Sequence, residues 1–482
     1  MGIDSMSTQR ELREEPQLLR ELTFTDATSL VIGIVIGTGV FLKAAVMAQA
    51  VGSPLLVLAA WVAAGLLSLA GALAYAELGG LFPEAGGEYV YLREAYGDAG
   101  AFLFGWMRVT VASTGAIASL AVGFSTFLFA VIRNNTIWWQ GSFSGLGNTF
   151  HWQFGIQQAT AIAVILFISA INCAAIAVAG RLQSLITASK MIGIAVIVGG
   201  VFIFAHSHTS NLLTANRATT SVSLSSFGVA MLAALWAYDG WNQMPMVAGE
   251  VRNAHRIVPR ALIVGTIVVV VLYVAVNFAY FAALPFSEVV TSNSTLYQDA
   301  VPVATKTVMT FFKSFGVQLI SIVFLVSTLG ALHGTVLTTA RVPFAMARDG
   351  LFFSRFRNLS KSTHAPVFAI SVQAVWACIL AISGTFDQLT DCVMFSSCIF
   401  YGLVASSVFV LRRKMPDAIR PYRTFGYPIV PVAFIAVSGW LVLSTLRTRP
   451  VESGAGLLLI ALGLPFYIYF RRTRRPVGQA SQ

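Results

Sequence analysis

The chain has 482 residues, of which 56% are hydrophobic and only 11% are charged, and its mean hydropathy is +0.76. Soluble proteins carry about 25% charged residues, so this composition excludes a soluble enzyme, a disulfide-rich secreted domain and a disordered chain. A net charge of +11 would by its sign alone also fit nucleic-acid binding. The positions of the basic residues along the chain distinguish nucleic-acid binding from a membrane-topology signal.

Apolar segments long enough to cross a bilayer recur along almost the whole chain. A membrane-spanning helix needs roughly 20 apolar residues, and twelve such segments are predicted. The sequence therefore predicts an all-α integral membrane protein in contact with the lipid bilayer. The predicted spans are 27–50, 54–79, 99–131, 156–178, 182–205, 224–250, 261–284, 315–340, 366–385, 389–411, 426–446 and 453–470.

The basic residues predict the orientation of these spans. With the N-terminus inside, the predicted inner segments hold 22 Lys and Arg, the outer segments hold seven, and two lie within spans. Positively charged residues concentrate on the cytoplasmic side of membrane proteins. Both termini are therefore predicted to be cytoplasmic, in a multi-pass protein of the cell (plasma) membrane. The distribution of the basic residues thus indicates the orientation of the protein in the membrane, and no nucleic-acid partner is expected.

Two spans contain interruptions near their middle. The first carries Gly33, Gly37 and Gly39, and the sixth carries Asp239 and Gly240. Glycine destabilises a helix interior by about 1 kcal/mol relative to alanine, and breaks at matching places in two halves point to a transporter's binding site. The alternative for a glycine-rich span is a close-packed helix face. Spans one and six are five apart and so cross the membrane in opposite directions, as an inverted five-plus-five repeat requires.

The predicted repeat divides the chain into five parts, and a short helix around residues 90–96 is predicted within the inner segment 81–98. Helices 11 and 12 fall outside the repeat. The parts are an N-terminal tail (1–26), a first five-helix repeat (27–205), a second inverted repeat (206–411), helices 11 and 12 (412–470) and a C-terminal tail (471–482).

Four short motifs resemble those of one transporter superfamily. They are Ile-Gly-Thr-Gly-Val-Phe at 36–41, Tyr-Ala-Glu-Leu-Gly at 75–79 followed by Pro83 and Gly86-Gly87, Ala-Tyr-Asp-Gly-Trp-Asn at 237–242, and Phe-Ala-Met-Ala-Arg-Asp-Gly at 344–350. In this order and spacing, the chain resembles the amino acid–polyamine–organocation (APC) superfamily, and most of all its L-type amino acid transporter branch. The resemblance implies a twelve-helix fold with a substrate site between broken helices 1 and 6.

The chemistry of two opposed helix breaks suits a zwitterionic amino acid. Free N–H groups at a helix N-terminus carry about half a positive charge and bind carboxylates. The last carbonyls of a helix lack intrahelical partners and can accept from an ammonium group. By resemblance, carboxylate contacts are assigned to Gly37, Thr38 and Gly39, and ammonium contacts to the carbonyls of Val35, Trp236, Ala237 and Asp239. The resemblance also makes Trp236 an aromatic gate, the alternative being an ordinary packing aromatic.

Lys190 is a charge within the apolar fifth span. Charges in the membrane interior are costly and are usually functional, although a lysine can also snorkel to an interface. Sodium-coupled relatives of this architecture hold a cation near this region, so the lysine resembles a built-in substitute that ties helix 5 to carbonyls of helix 1. Sodium independence is therefore predicted. Proton coupling stays open, because a buried lysine can lose its proton.

Asp239 departs from the mammalian L-type pattern, which has glycine at this position. One interpretation is that its carboxylate caps the second half of helix 6. The other is a direct role in substrate choice or proton coupling.

The residues that a linked subunit or a metal cofactor would require are missing from the sequence. Heteromeric relatives link to an ancillary glycoprotein through a cysteine in the outer segment at about 133–155, where this chain has none, so no disulfide-linked subunit is expected. Neither the four cysteines (Cys173, Cys378, Cys392 and Cys398) nor any other residues show the spacing of a metal site, and no cofactor is expected. His333 is assigned no role, since a lone intramembrane histidine fits hydrogen-bonded packing equally well.

The predicted function is secondary active transport of neutral L-amino acids by alternating access, as a sodium-independent exchanger. The alternative is a proton-coupled amino acid or polyamine symporter, with Lys190 or Asp239 titrating. A more distant alternative is a sensor that binds an amino acid without moving it. An enzyme is not expected, because HExxH, GxSxG and P-loop motifs are missing.

Overall fold

The computed structural model describes residues 17–132, 136–145, 148–204, 209–213, 224–294, 296–297, 300–383, 386–448 and 450–473. Its α-helices are α1 (Phe24–Val35), α2 (Gly39–Val51), α3 (Pro54–Leu81), α4 (Glu88–Tyr96), α5 (Asp98–Met107), α6 (Ser113–Ile132), α7 (Ile156–Asn172), α8 (Ile176–Phe204), α9 (Leu224–Tyr238), α10 (Ala254–Ala283), α11 (Phe286–Val290), α12 (Val303–Thr339), α13 (Arg341–Arg348), α14 (Val367–Ser383), α15 (Phe386–Lys414), α16 (Ile429–Thr448), α17 (Pro450–Ala461) and α18 (Gly463–Thr473). A π-helical turn, Arg108–Ala112, joins α5 to α6, and short 3₁₀ helices are Thr209–Leu213, Trp241–Met246, Ala248–Glu250 and Ser354–Arg357.

The helices form a multi-pass membrane protein. Among the described residues, seven helices are long and apolar enough to cross a bilayer, and the bent pair α1 and α2 makes an eighth span. Helix α7 and residues 367–382 of α14 are shorter apolar helices. Each predicted span overlaps a helix or a pair of helices, and the mostly helical fold is thus confirmed. The count of twelve and the inverted repeat stay predictions.

The long helices present apolar side chains outward. Leu66 on α3, Ile192 on α8 and Val271 on α10 are 58%, 64% and 61% exposed. Apolar surface of this extent on three spanning helices is accommodated by lipid acyl chains rather than by water. The inward faces carry small residues, such as Gly193 and Gly265, which let neighbouring helices approach closely.

The all-α prediction was wrong in one place, the segment between the third and fourth predicted spans. Strands β1 (Ile137–Gly145) and β2 (Asn148–Gly155) pair antiparallel there, with a register irregularity between Ile137 and Trp139. Aromatic and β-branched residues recur along both strands, and such residues favour extended structure.

Several helix bounds differ from the predicted spans. The first helix begins at Phe24 because Thr23 and Asp26 form a capping box. Leu22, in the predicted N-terminal tail, is fully buried, and its N–H donates to the Glu250 carbonyl over 2.9 Å. The predicted twelfth span is two helices, α17 and α18. Helix α12 begins already at Val303, with a kink at Lys313.

A buried ion pair joins two elements of the bundle. The Arg341 guanidinium donates to both carboxylate oxygens of Glu250, over 2.8 and 3.0 Å, and each side chain is 1% exposed. Helix α13 is thereby tied to the 3₁₀ turn that precedes α10. Breaking a buried ion pair leaves an uncompensated charge, which is strongly destabilising.

We expect Arg341→Met to lower the free energy of unfolding by about 3–5 kcal/mol, because Glu250 is left buried without its partner. The measurement is the melting temperature of the purified protein in detergent. The double variant Arg341→Met/Glu250→Leu should recover most of the loss, since apolar residues replace both charges. A double variant no more stable than the single one would contradict this account.

Candidate functional site

The first helix break lies between α1 and α2. Helix α1 ends at Val35, α2 begins at Gly39, and the axes bend by 41°. Within the break the Gly37 N–H donates to the Val35 carbonyl over 2.8 Å. Thr38 is 1% exposed, and its hydroxyl has no hydrogen-bond partner within the described residues. The break thus presents a buried hydroxyl beside the N-terminus of a helix.

The second break follows α9. This helix ends at Tyr238, and the chain resumes as the 3₁₀ helix Trp241–Met246. Gly240 makes the turn with φ +113°, a backbone conformation that favours glycine. A Cβ atom at Gly240 would lie 2.7 Å from Cγ2 of Ile34. Glycine therefore permits the two breaks to approach each other.

One cavity of about 70 Å³ lies between the two breaks. All seven residues predicted to bind substrate line it: Val35, Gly37, Thr38, Gly39, Trp236, Ala237 and Asp239. Six residues that were not predicted complete the lining: Ile34, Ala116, Ser119, Leu120, Gln243 and Thr335.

Tyr273 on α10 connects the two breaks and was missed by the sequence analysis. Its hydroxyl lies 2.8 Å from the Val35 carbonyl oxygen and 3.1 Å from that of Ala237. Two of the carbonyls assigned to the ammonium group thus already have a hydroxyl partner, although each carbonyl has a second lone pair. The only signal for Tyr273 in the sequence is that a buried tyrosine hydroxyl usually needs a partner.

Lys190 on α8 lies behind the first break and outside the cavity lining. It is 1% exposed, and its ammonium group donates to the carbonyls of Gly33 and Ile36 over 2.6 and 2.8 Å. Ser327 on α12 donates to the carbonyls of Ile36 and Gly37 over 2.9 and 3.1 Å. Both side chains supply donors to carbonyls at the end of a helix, where intrahelical donors run out.

Asp239 combines features of both interpretations made from the sequence. Its carboxylate accepts hydrogen bonds from the Tyr401 hydroxyl and the Gly240 backbone N–H, and it also lines the cavity. The buried guanidinium of Arg108, in the π-helical turn, interacts electrostatically with it. Asp239 is therefore held in place and faces a positive charge.

Glu88 is a second carboxylate of this region. It is fully buried, and one of its oxygens accepts from the Tyr75 hydroxyl over 2.9 Å and from the Asn242 amide over 3.0 Å. Arg108 interacts electrostatically with Glu88 as well. Glu88 carried no distinguishing signal in the sequence. Arg108 is one of the two basic residues within predicted spans, but nothing in the sequence shows that it lies beside Asp239.

Two further residues were singled out from the sequence. The Trp236 ring lines the cavity, and the Lys43 ammonium lies 4.7 Å from its centroid; gating by Trp236 stays a prediction. His333 is fully buried, and its Nδ1 atom lies 2.8 Å from Oε1 of Gln183. It is not part of the cavity lining.

Comparison with known proteins gives the family. A family model described as amino acid permease matches residues 22–451, which is most of the chain. The chain belongs to the amino acid permease family. It is a membrane amino acid transporter of the APC superfamily, and the resemblance to the L-type branch is confirmed.

Relatives of the permease match it over nearly its full length. It is 34% identical to the serine/threonine exchanger SteT of Bacillus subtilis (strain 168), over 96% of this chain and 99% of that protein. It is 30% identical to the b(0,+)-type amino acid transporter 1 of Homo sapiens, over 97% and 91%. It is 27% identical to the cystine/glutamate transporter of Homo sapiens, over 95% and 86%. These relatives are transporters and not enzymes.

We expect Gly39→Ala to separate the two broken helices and to reduce amino acid uptake by about tenfold, which corresponds to about 1.4 kcal/mol. The added Cβ would lie 2.5 Å from the Ala237 Cβ atom and 2.7 Å from its Cα atom, and overpacking of this kind costs about 1–3 kcal/mol. Uptake and melting temperature are the measurements.

Gly37→Ala is the matched control for this packing effect. A Cβ at Gly37 meets no heavy atom closer than Ala331 Cβ at 3.8 Å, so the melting temperature should stay at the wild-type value. Equal destabilisation by the two substitutions would show that the Gly39–Ala237 contact is not the cause.

Proposed function

We propose that the permease transports neutral L-amino acids by alternating access and works as a sodium-independent exchanger. The observation that carries this proposal is the cavity between the two helix breaks, which is lined by Gly39 at the N-terminus of α2 and by Val35 and Ala237 near the C-terminal ends of α1 and α9. Among its relatives, SteT is named a serine/threonine exchanger.

The two sides of the cavity match the two charges of an α-amino acid. The positive end of the α2 dipole and the Thr38 hydroxyl suit the carboxylate, which is bound by N–H and O–H donors at a helix N-terminus. The carbonyls of Val35, Trp236 and Ala237 suit the ammonium group. When substrate enters, the carbonyls of Val35 and Ala237 would accept from the ammonium group either in addition to the Tyr273 hydroxyl or in place of it.

The charge of the cavity supports a neutral side chain. Asp239 could attract a cationic side chain, but Tyr401, Gly240 and Arg108 already engage its charge. A positive charge near the site also penalises a second one, because like charges in a low-dielectric region repel strongly.

Lys190 supports the proposal of sodium independence. Its ammonium group occupies the carbonyls of Gly33 and Ile36, which are the kind of oxygen ligand that an alkali cation would need. A covalently attached cation does not leave with the substrate, so it can hold α1 without contributing an ion gradient. Proton-coupled symport is the second candidate, because Lys190 and Asp239 are buried titratable groups next to the break.

Alternating access in this scheme involves the twelve-span, five-plus-five repeat predicted above. Substrate binding would close the outer path near Trp236, and movement of the elements that carry both breaks would open the inner path. We place the protein in the plasma membrane with both termini cytoplasmic. No disulfide-linked ancillary subunit is part of the proposal.

The exchange mode is tested in sodium-free proteoliposomes of the purified permease. We expect uptake of labelled serine or alanine only into vesicles preloaded with unlabelled amino acid, with no response to an imposed pH gradient. Uptake into empty vesicles driven by inward protons would overturn obligate exchange and support the symport alternative. Binding without flux under every condition would support a sensor.

The charge preference is tested through Arg108. We expect Arg108→Gln to raise the apparent affinity for lysine, measured as inhibition of labelled serine uptake, by about tenfold, because Asp239 loses a neighbouring positive charge. Arg108→Lys should behave like the wild type. Retained serine uptake shows that the variant folds.

The double variant Arg108→Gln/Asp239→Asn identifies the carboxylate responsible. It should lose the gained affinity for lysine, since the negative charge facing the cavity is removed. Equal inhibition by lysine in the wild type and in Arg108→Gln would contradict the assigned role of Arg108.

A further inference from the structure

A basic pocket lies in the connection between α15 and α16. It has a volume of about 170 Å³ and is lined by Arg412, Pro416, Arg420 and Arg423. Helix α15 ends at Lys414 and α16 begins at Ile429, and both helices contain a membrane span. The connection is therefore held at the surface of the bilayer, on the inner side according to the distribution of basic residues.

The arginines of this pocket carry more positive charge than the protein neutralises. Glu77 on α3 is 2% exposed and accepts from Arg412 over 2.7 and 2.9 Å, from the Thr424 N–H over 2.7 Å, and lies 3.3 Å from Nε of Arg420. One carboxylate thus serves two guanidinium groups. Arg423 is exposed and forms no ion pair within the described residues, and neither does Asp417 of the same connection.

Hydrogen bonds hold the pocket in a defined shape. The Nη1 group of Arg420 donates to the Ala418 carbonyl over 3.0 Å, and its Nη2 group donates to the carbonyls of Leu411 and Met415 over 3.1 and 2.9 Å. These bonds tie the connection to the C-terminal end of α15. The Arg412 guanidinium also lies 3.8 Å from the centroid of the Tyr427 ring. The pocket thus has a defined shape, and within the part of the chain that the structure describes its exposed Arg423 forms no ion pair.

Exposed apolar side chains flank the pocket. Ile419, Phe425 and Ile429 are 90%, 76% and 77% exposed. Large apolar residues in a connection between two spans gain free energy by entering the acyl boundary of the membrane. Their insertion would bring the neighbouring arginines to the level of the lipid phosphates. Guanidinium groups bind phosphate oxygens in a bidentate manner, and basic pockets beside spanning helices suit anionic headgroups.

We propose that the Arg412–Arg420–Arg423 pocket binds the phosphate of an anionic phospholipid, with Phe425 and Ile419 in contact with its acyl chains. Glu77 belongs to α3, Arg412 to α15 and Thr424 to the connection, so an occupied pocket stabilises the joint between these elements. The pocket and the substrate cavity share no lining residue. The proposal does not depend on which amino acid is carried.

Purified permease in a neutral detergent is titrated with short-chain phosphatidylglycerol, short-chain phosphatidylcholine or inorganic phosphate. We expect phosphatidylglycerol to raise the melting temperature more than phosphatidylcholine, and native mass spectrometry to show retained phosphatidylglycerol. Arg423→Gln should weaken the phosphatidylglycerol effect by about tenfold in concentration. Lys361→Gln, which removes an exposed basic residue from another connection, should leave it unchanged.

Two outcomes would overturn the proposal. An equal effect of Arg423→Gln and Lys361→Gln would show that only the overall surface charge matters. An effect of inorganic phosphate as large as that of phosphatidylglycerol, and unchanged in Phe425→Ser, would make the pocket a site for free anions. Arg423 and Phe425 are exposed, and an unchanged melting temperature in phosphatidylcholine verifies that each variant is folded.

Discussion

The structure depends on how it satisfies peptide groups at a helix break within the membrane. Hydrocarbon offers no hydrogen-bond partners, so irregular backbone at this depth is tolerated only where protein or a water-filled cavity supplies them. Here three side chains from three different helices donate to the end of α1. They are Lys190, Tyr273 and Ser327, and the carbonyls they reach belong to Gly33, Val35, Ile36 and Gly37.

These donors make the break asymmetric. At the end of α1, backbone carbonyls accept hydrogen bonds from Lys190 and Ser327. The Thr38 hydroxyl, in contrast, is buried and has no partner in the described part of the chain. In the proposed function this hydroxyl would donate to the substrate carboxylate.

Buried charges in the permease are arranged as small groups with opposite signs. Arg341 faces Glu250, Arg412 faces Glu77, and Arg108 lies within electrostatic range of Glu88 and Asp239. Lys190 instead interacts with peptide dipoles. Desolvation makes an isolated charge very costly in such surroundings, so each group constrains which helices are neighbours. At the proposed site the same arrangement moderates the negative charge that a substrate would meet.

The sequence by itself determined the class of the protein, the approximate positions of its apolar helices and the two breaks. Composition and glycine placement act locally, so Gly37, Gly39 and Gly240 could be interpreted without knowing their neighbours. The resemblance then supplied seven candidate substrate-binding residues, and all seven line the cavity. Only the tertiary structure decided which side chains complete the site. The residues that contact the breaks or interact with Asp239 come from separate elements: Tyr273, Arg108, Glu88 and Tyr401. Helix packing alone brings them together.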